Sequence, residues 1–571
     1  MLHLKTIFNP REKKMFKPEL ISTFKNYSGK KFVSDLIAGV IVGIVALPLA
    51  IAFGIASGVG PSEGIFTAII AGFIISVLGG SKVQIGGPTG AFVVIVYGVI
   101  QKFGLPGLAT ATIMAGVILI IMGILKLGSL VKFIPYTIIT GFTAGIAVTI
   151  LTGQIGDFFG LTTGPMPGDF IGKITSYAKS FHTINWWSFG MSAICLAVIF
   201  LWAKVPKIGK KVPGSLVVII LATIVCTAFK IPVDTIGDRY EIPNMLPAPK
   251  LPDFSLDTIK ELFPTAASIA VLAAIESLLS AVVADGMIGA KLSSDTELIA
   301  QGIANIVTPL FGGIPATGAI ARTATNVKNG GRSPVAGIVH AVTLMLILLF
   351  LGKLVKFIPM PALAAVLVSV AWNMAGFKDI AALMKGQKSD AFVLLVTFGL
   401  TVFVDLTVAI GVGILLAAFF FIQKMAMLSD VHKYENGTDP DAAKDMPEEK
   451  LDVPNGVLIY EVEGPLFFAT VRKFEVAVDR SGADFKAMII RMRNTTYLDA
   501  GGIKALRQLQ NACTKRKVAI ILSGVHDQPL KLLKKAGMTE SLGEENVCVD
   551  IYAALDRARG LIGVSKASES N

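Results

Sequence analysis

Two short breaks inside apolar sequence constrain most strongly what this 571-residue chain can fold into. The first break is Gly86–Ala91, with the sequence GGPTGA, and the second is Gly312–Ala319, with the sequence GGIPATGA. Each one predicts an extended segment followed by a helix that starts inside the membrane, where lipid cannot satisfy free backbone groups. Such a helix start directs unpaired N–H groups and the positive end of the helix dipole into the protein. Two of them predict a binding site for an anion.

The two breaks belong to a longer internal repeat. An offset of 228 residues, the difference between positions 89 and 317, aligns the breaks and keeps further positions in register. The corresponding pairs are Thr89 and Thr317, Gly90 and Gly318, Ala91 and Ala319, Pro48 and Glu276, and Gly58 and Gly286. Chance agreement of small residues in a Gly-rich and Ala-rich chain is the alternative interpretation. A duplication predicts two halves of opposite topology, with the substrate site between them near the bilayer midplane.

The composition indicates a polytopic helical membrane protein. The chain is 53% hydrophobic and 16% charged and contains 57 glycines, whereas a soluble protein has about 25% charged residues. Several apolar runs are long enough to cross a hydrocarbon core of roughly 30 Å, alone or as hairpins. These runs cover residues 35–57, 63–79, 105–126, 136–156, 187–203, 213–229, 334–357 and 389–421. With the broken helices at 88–103 and 316–328 and with shorter runs, they predict about fourteen membrane segments.

Basic residues predict the orientation of the chain. Residues 1–32 contain eight lysines and arginines against two glutamates, which predicts a cytoplasmic N-terminal segment by the positive-inside rule. The net charge of +12 is therefore a topology signal and an attraction to anionic lipid. No soluble part shows a basic stripe, so we expect no nucleic-acid partner. The first apolar run is too long for a cleavable signal, and the sequence predicts a multi-pass protein of the plasma membrane.

The sequence indicates neither an enzyme nor a metal centre. The spacing of the four cysteines, Cys195, Cys226, Cys513 and Cys548, suits neither a disulfide framework nor a metal site, and we interpret them as small apolar fillers. We recognise no nucleophile with a base, metal cluster or phosphate-binding loop. We therefore expect no catalytic residue, no metal and no cofactor.

A soluble domain follows the apolar part. We assign residues 33–426 to the membrane and residues 427–450 to a polar, acidic linker. Residues 451–561 alternate between strand and helix patterns, which predicts a small α/β sheet domain, and residues 562–571 form a tail. The predicted strands are Val457–Val462, Ala487–Met492 and Val518–Leu522, and the predicted helices are Gly501–Arg516 and Pro529–Lys535.

The apolar part resembles the sulfate permease (SulP) anion transporters, and the C-terminal domain resembles their STAS domain. The most specific stretches are Gln84–Ala91, Ala274–Gly286 and Phe311–Asn326. The resemblance implies two inverted repeats of seven segments, arranged as a core and a gate domain, and a homodimer with a cytoplasmic STAS domain. STAS switch proteins carry a phosphorylatable serine or threonine after a loop aspartate. Here Ala500 follows Asp499, so we expect no phosphorylation at that position.

Glu276 is the acid with the most apolar neighbours in the sequence. A charged carboxylate there costs several kcal/mol unless it faces a cavity, pairs with a cation or stays protonated. Ser280 lies one helical turn further on, on the same face. In the resembling family this position lines the site, and an aspartate with a threonine four residues later is associated with sodium coupling. Glu276 and Ser280 depart from that pair, so we predict proton coupling. Sodium coupling is one alternative, and a carboxyl that only hydrogen-bonds a neighbouring helix is the other.

The remaining residues of the predicted anion site come from the two breaks. Arg322 follows the second helix start by one turn, and we expect it either to attract the anion or to join the repeats by pairing with Glu276 or Asp285. The threonine of each break offers a hydroxyl to the anion or caps its helix, and the following alanine leaves room for an oxyanion. The substrate-binding candidates are Gly87, Thr89, Gly90, Ala91, Thr317, Gly318, Ala319 and Arg322.

Other polar and small residues of the apolar part are interpreted as structural. Gly39 and Gly43 form a small-xxx-small pair that is typical of a helix packing face. His340 is expected to make an interior hydrogen bond. Asp285 and Asp405 are expected to act as caps or inter-helix partners.

Together these features predict a secondary active transporter of anions such as sulfate, bicarbonate or small dicarboxylates, coupled to protons and working by alternating access. One alternative is sodium-coupled bicarbonate uptake. Another is a membrane sensor that signals through the STAS domain, although Ala500 argues against it. A third is a nucleobase permease, because that family shares the fold, but two helix starts and Arg322 suit an anion better than a neutral base.

Overall fold

The computed structural model describes residues 16–24, 27–129, 135–164, 166–202, 204–205, 212–243, 245–252, 254–404, 406–433, 451–473 and 485–563. The chain forms two compact units, one up to Ala417 and the other from Ala418. The basic residues before position 16, Asp405, residues 434–450 of the predicted linker and the tail from residue 564 lie outside the described residues.

The first unit is helical. Most of its long helices begin after a serine, glycine or proline, residue types that satisfy or tolerate the unpaired N–H groups of a first turn. In chain order the helices are α1 (Glu19–Thr23), α2 (Gly29–Ala56), α3 (Pro61–Leu78), α4 (Val93–Ile124), α5 (Tyr136–Gly153), α6 (Ile155–Phe159), α7 (Phe170–Ser180), α8 (Trp186–Trp202), α9 (Gly214–Phe229), α10 (Ile236–Arg239), α11 (Leu256–Ile288), α12 (Ser294–Leu310), α13 (Ile320–Lys328), α14 (Pro334–Leu346), α15 (Gly352–Val355), α16 (Met360–Met374), α17 (Phe377–Lys385), α18 (Lys388–Phe403) and α19 (Leu406–Met427).

Within the described residues, eight helices are long and apolar enough to cross a membrane. The number rises to nine if the bent pair Phe170–Thr183 and Trp186–Trp202 forms one span. Helix α4 contains a non-helical residue, Gly104, two positions before Pro106, so the chain bends between the two segments that the sequence analysis separates there. The count of about fourteen segments stays a prediction, because the remaining candidates, such as the nine residues of α13, are too short to span a bilayer alone.

The order of elements repeats along the first unit. Helices α2 and α3 precede the first break and α4, and helices α11 and α12 precede the second break, α13 and α14. Helix α4 packs against α11 and α12, while α14 packs against α2 and α3. Each half therefore covers the first two helices of the other half, as expected for two repeats related by a two-fold exchange.

Glycines allow these helices to approach closely. A Cβ atom on Gly39 of α2 would lie 2.5 Å from the carbonyl oxygen of Ala336, and one on Gly43 would lie 2.8 Å from Cβ of Thr343. The packing role of both glycines is therefore confirmed, with α14 as their partner helix. A second group of helices contains α5, α8, α16 and α18, in which α5 packs against α16 and α18. The two groups correspond to the core and the gate of the expected architecture.

Two short strands of the first unit, β1 (Gly86–Gly87) and β2 (Thr317–Gly318), come first in the strand numbering. The second unit contains a five-stranded sheet, whose strands are β3 (Asp430–Lys433), β4 (Val457–Glu463), β5 (Ala487–Asn494), β6 (Ala519–Ser523) and β7 (Val547–Cys548). They lie in the order β3-β4-β5-β6-β7, in which β3 is antiparallel to β4 and the other neighbours are parallel. Its helices are α20 (Ala500–Lys515), α21 (Asp527–Lys535), α22 (Met538–Leu542) and α23 (Ile551–Ile562). Apolar residues of β4, β5 and β6 form a core on each face of the sheet.

The predicted strands and helices of this domain are confirmed, because short apolar runs predict the buried strands and helical periodicity predicts the helices. Residues 430–433 differ from the expectation, since we placed them in the linker and they form β3. Val431 of this strand packs against the core that contains Tyr460 and Val462. The short polar strand is held by its backbone pairing with β4, a contact that its own sequence does not reveal.

Candidate functional site

The two breaks meet as a pair of very short antiparallel strands, β1 (Gly86–Gly87) and β2 (Thr317–Gly318). Gly86 pairs with Gly318 and Gly87 pairs with Thr317. The N–H of Ala319 donates to the carbonyl of Ile85 at 2.9 Å and extends the pairing. The two extended segments thus satisfy each other's backbone groups inside the core, which lipid could not do.

Glycine is required where the strands cross. A Cβ atom on Gly318 would lie 1.4 Å from Nε2 of Gln84, and one on Gly87 would lie 2.4 Å from Nη1 of Arg322. Gly87 also has a φ of 146°, which side chains other than glycine rarely adopt. These two candidate residues therefore shape the crossing through the space they leave free.

A helix starts on each side of the strand pair. After β1, the first backbone bond of the new turn runs from the N–H of Phe92 to Thr89, so the amides of Gly90 and Ala91 precede it. After β2, the first bond runs from the N–H of Thr323 to Ala319. The amides between these positions have no acceptor in their own helix. Both helices therefore direct their positive ends towards the crossing.

Glu276 lies on α11, beside the first of these helix starts. The hydroxyl of Thr89 donates to Oε2 of Glu276 at 2.8 Å. Glu276 is partly exposed, whereas its neighbours Ile275 and Ser277 are buried. The bond between Thr89 and Glu276 joins the two repeats.

Arg322 lies on α13 and is 2% exposed. Its Nη2 donates to the carbonyl oxygen of Pro88. Its Nη1 has no hydrogen-bond partner among the described residues. Arg322 thus joins the repeats through a backbone carbonyl, and the described ion pairs include none between it and Glu276 or Asp285.

The hydroxyls of Thr317 and Ser280 are engaged inside the protein. Thr317 donates to the carbonyl of Ala273 at 3.0 Å, and Ser280 donates to Oγ1 of Thr323 at 3.3 Å. Thr89 is the residue before the first helical turn, but its side chain forms no cap bond, and the corresponding residue of α13 is Ala319. Neither threonine hydroxyl therefore caps a helix in this structure.

Asp285 and His340, both interpreted from the sequence as structural, differ in their hydrogen bonding. Asp285 accepts a hydrogen bond from the hydroxyl of Ser81 at 3.0 Å, as expected for an inter-helix partner. His340 is fully buried, and neither of its ring nitrogens has a hydrogen-bond partner among the described residues. The expected interior hydrogen bond of His340 is therefore wrong. The part of the chain that the structure describes also contains no group of acids, histidines and cysteines able to hold a metal ion.

Sequence reasoning missed a set of buried polar residues behind the crossing. Asn305 illustrates their function, because its Oδ1 accepts from the N–H of Ala316 at 2.9 Å and its Nδ2 donates to the carbonyl of Ala316 at 2.8 Å. Thr67 similarly accepts from the N–H of Ile314 at 2.8 Å. The signal that could have found Asn305 is the spacing of polar residues every fourth position along α12. The missed residues are Thr67, Gln84, Ser277, Glu297, Gln301, Asn305 and Thr323.

Comparisons with known proteins show which families and proteins this chain is similar to. The sequence profile of the sulfate permease family matches residues 32–397, and that of the STAS domain matches residues 450–558. A putative sulfate transporter of Bacillus subtilis strain 168, YvdB, is 43% identical over 92% of this chain and 97% of its own length. The bicarbonate transporter BicA of a Synechocystis species is 30% identical over 96% of this chain and 97% of its own length.

Solved structures show the same fold. A structure of SLC26A9 superimposes with a TM-score of 0.85 at 21% identity, covering 95% of this chain and 92% of that chain. The transmembrane domain of a cyanobacterial bicarbonate transporter BicA superimposes with a TM-score of 0.61 at 30% identity, covering 68% of this chain and 98% of that chain.

Proposed function

The chain belongs to the sulfate permease family, and on that premise we propose that it is a secondary active transporter of small oxyanions. Its relatives include proteins named as sulfate transporters and as bicarbonate transporters. We propose sulfate, bicarbonate or small dicarboxylates as substrates, since all of them present oxygens to N–H donors. The activity is transport, with no chemical conversion of the anion.

The observation that carries this proposal is the crossing of β1 and β2 beside Glu276. It brings two helix starts, the free Nη1 of Arg322 and the Thr89–Glu276 bond together. Backbone N–H groups at helix starts bind oxyanions without a counter-charge of their own, and a guanidinium adds a charge-assisted hydrogen bond. In this proposal the anion lies at the helix starts, and the small side chains of Gly90, Ala91 and Ala319 leave room for it.

We propose the proton as the coupling ion and Glu276 as its carrier. Only one donor, the hydroxyl of Thr89, faces this carboxylate among the described residues. A carboxylate with one donor in an apolar surrounding gains or loses a proton at a modest cost, whereas an ion such as sodium requires several oxygen ligands. Ser280, the second proposed coupling residue, supports α11 against α13 through Thr323. Binding of the anion near Glu276 would favour protonation, which links the two substrates.

The proposed transport cycle moves the core helices against the gate helices. Gly90 marks the contact, because a Cβ atom on it would lie 2.9 Å from Sδ of Met374 on α16 and 3.3 Å from Cδ1 of Ile150 on α5. Sliding of the core past α5 and α16 would expose the helix starts to one side of the membrane and then to the other. We further propose a homodimer in the plasma membrane, with the N-terminal segment and the STAS domain in the cytoplasm.

Uptake by the purified protein in liposomes tests the proposal. A panel of labelled anions is offered under an imposed proton gradient, an imposed sodium gradient and neither. We expect uptake of an oxyanion that is accelerated by an inward proton gradient. Absence of uptake for every anion under all three conditions would refute the transport function.

Glu276→Gln tests the coupling role. The variant keeps the size of the side chain and can still accept from Thr89, so we expect it to fold with an unchanged thermal unfolding midpoint. Because the amide cannot take up a proton, we expect acceleration by the proton gradient to disappear. Undiminished proton-driven uptake by this variant would refute the coupling role of Glu276.

Ala319→Leu tests the location of the anion. Ala319 is 7% exposed and directly precedes α13, so a larger side chain would occupy the space at the second helix start. We expect loss of uptake and of anion binding in a protein that still folds. Unchanged affinity for the anion would show that it binds elsewhere.

Sodium-coupled bicarbonate uptake is the second candidate function. The observation in its favour is the 30% identity with a bicarbonate transporter over almost the whole chain. The same liposome experiment separates the two, because bicarbonate uptake that follows the sodium gradient and ignores the proton gradient would select this candidate.

A further inference from the structure

Helix α12 carries a buried polar face beside the crossing. Glu297, Gln301 and Asn305 lie four residues apart and are all fully buried. Gln301 donates to Oε1 of Glu297 at 2.9 Å, and Asn305 donates to the carbonyl of Gln301 at 2.8 Å. Since Asn305 also holds Ala316 of the second break, this face connects Glu297 to β2 along one helix.

Glu297 itself is surrounded by donors. Its Oε2 accepts from the N–H of Gly80 at 2.8 Å and from the N–H of Ser81 at 3.2 Å. Its Oε1 accepts from Gln301 and, at 3.4 Å, from the hydroxyl of Ser277. Four donors suit an ionised carboxylate, and they offset the cost of burying it without a cation. Glu276 differs, since one hydroxyl donates to it.

The groups that donate hydrogen bonds to Glu297 are connected to the proposed anion site through Gln84 and Ser277. Gly80 and Ser81 form the turn that continues into Gln84 and β1. Gln84 donates from Nε2 to the carbonyl of Ser277 at 3.0 Å and to its hydroxyl at 3.2 Å. Ser277 is the residue next to Glu276 on α11. Glu297 therefore holds both the segment that precedes Thr89 and the helix that carries Glu276.

We propose that Glu297 is a positioning residue that sets Glu276 against Thr89 by clamping the Gly80–Ser81 turn to Ser277. This inference rests on the proposed function, because it concerns the carboxylate assigned to proton coupling. Glu297 does not contact the anion. It fixes the relative position of α11 and the first break, so that the hydroxyl of Thr89 meets Glu276 in one geometry.

The charged groups around Glu297 leave this assignment unchanged. Asp285 on α11 is the charged group whose field reaches Glu297, and it is itself held by Ser81. Lys82 on the turn and Glu19 on α1 act on Asp285. Asp295, in the first turn of α12, accepts from the N–H of Gly128 at 3.1 Å.

The test compares two carboxyl groups on core helices that are changed in the same way. Glu63 on α3 is the control, because it is partly exposed and its Oε2 has no hydrogen-bond partner among the described residues. Glu297→Gln replaces an acceptor by an amide whose NH2 group would face donors. We expect it to lower proton-driven uptake about tenfold per folded protein, as small misplacements at a site do, and to shift the pH profile of uptake. Glu63→Gln should leave both unchanged.

Two further variants separate positioning from folding. Glu297→Asp keeps the charge and should recover part of the rate. Ser277→Ala removes the hydroxyl that donates to Glu297 and accepts from Gln84, while Gln84 keeps its bond to the carbonyl of Ser277. It should shift the pH profile in the same direction as Glu297→Gln, by a smaller amount. If Glu297→Gln does not fold, these two variants decide. A pH profile that stays at the wild-type position in all of them would overturn the proposal, even if the rate falls.

A measurement without transport separates this inference from the proposed function. In a protein with the four native cysteines replaced by alanine, Thr89→Cys is labelled by a thiol reagent, and the labelling rate reports how close Glu276 lies. Glu297→Gln should change this rate and Glu63→Gln should not. If the wild type takes up no anion but the labelling rate changes as expected, transport fails and the positioning role stands. If Thr89→Cys is labelled at the same rate with Glu297 present and with Glu297→Gln, the positioning role is refuted.

Discussion

The first repeat, from α2 to α4, and the second, from α11 to α14, have the same order of elements but contribute different chemistry to the site. The second repeat supplies the charged side chains Glu276, Glu297 and Arg322. The first supplies their partners, which are the hydroxyl of Thr89, the carbonyl of Pro88 and the amides of the turn at Gly80. At the position that aligns with Glu276, the first repeat has Pro48.

The two repeats therefore share a scaffold, and the residues that differ between them provide the charged side chains of the candidate site. Two identical halves would bring like charges together at the crossing, at a cost in a medium of low dielectric constant. With the charges in one half and neutral donors and acceptors in the other, each polar group at the crossing meets a complementary one. Aligned positions of the two repeats are therefore natural pairs for comparison.

The largest difference is expected for the aligned pair Gly318 and Gly90. A Cβ atom on Gly318 would lie 1.4 Å from Nε2 of Gln84, so Gly318→Ala must displace Gln84 from Ser277. We expect a loss of about 3 kcal/mol in the free energy of unfolding, from overpacking and from lost hydrogen bonds. Gly90→Ala meets Sδ of Met374, a flexible side chain, and should cost about 1 kcal/mol. Thermal unfolding in detergent measures both, and equal losses would contradict the asymmetry.

A smaller effect is expected for the aligned pair Thr89 and Thr317. Thr89→Val removes the donor to Glu276, and we expect proton-driven uptake to fall about tenfold with little change in stability, as for a hydrogen bond to a charged group. Thr317→Val removes a bond to the carbonyl of Ala273, which should lower stability by about 1 kcal/mol. Its uptake per folded protein should fall less than that of Thr89→Val. If uptake falls more in Thr317→Val than in Thr89→Val, the coupling contact lies in the second break and not in the first.

The smallest effect is expected for Gly58 and Gly286. Gly58 has a φ of 77°, and a Cβ atom on it would lie 3.0 Å from the ring of Tyr97, whereas nothing lies within 4 Å of a Cβ atom on Gly286. Gly58→Ala should destabilise the protein by about 1 kcal/mol, because alanine is strained at positive φ. Gly286→Ala, in the interior of helix α11, should stabilise it by about 0.5 kcal/mol. Unfolding midpoints that move in the same direction would show that the aligned glycines are equivalent.

Much of the fold follows from local patterns in the sequence. The Gly-Gly and Thr-Gly-Ala segments mark both breaks because only such residues allow an extended segment and a new helix start inside an apolar region. The central strands of the STAS domain follow from their short apolar runs, which are separated by helical patterns. The position of β3 did not follow, since residues 430–433 are polar and gain their structure from pairing with β4.

The sequence was sufficient to name candidate site residues, but not to predict which of them contact each other. Glu276 and Thr89 were both expected at the site, but their mutual hydrogen bond depends on how α11 packs against the first break. The sequence left two roles open for Arg322, at the anion or paired with Glu276 or Asp285, and its hydrogen bond to the carbonyl of Pro88 was not foreseen. Glu297 was not predicted to be near the site, because the polar residues around it in the sequence of α12 are typical of a surface helix.

Two helix starts inside apolar regions, with a few charged residues near them, can be recognised from the amino-acid sequence, because both properties are local and do not depend on packing. Which polar groups meet depends on the tertiary structure. Hydrogen bonds and buried charges act over a few ångströms, and the residues that they join, such as Thr89 and Glu276 or Ser81 and Glu297, are far apart along the chain.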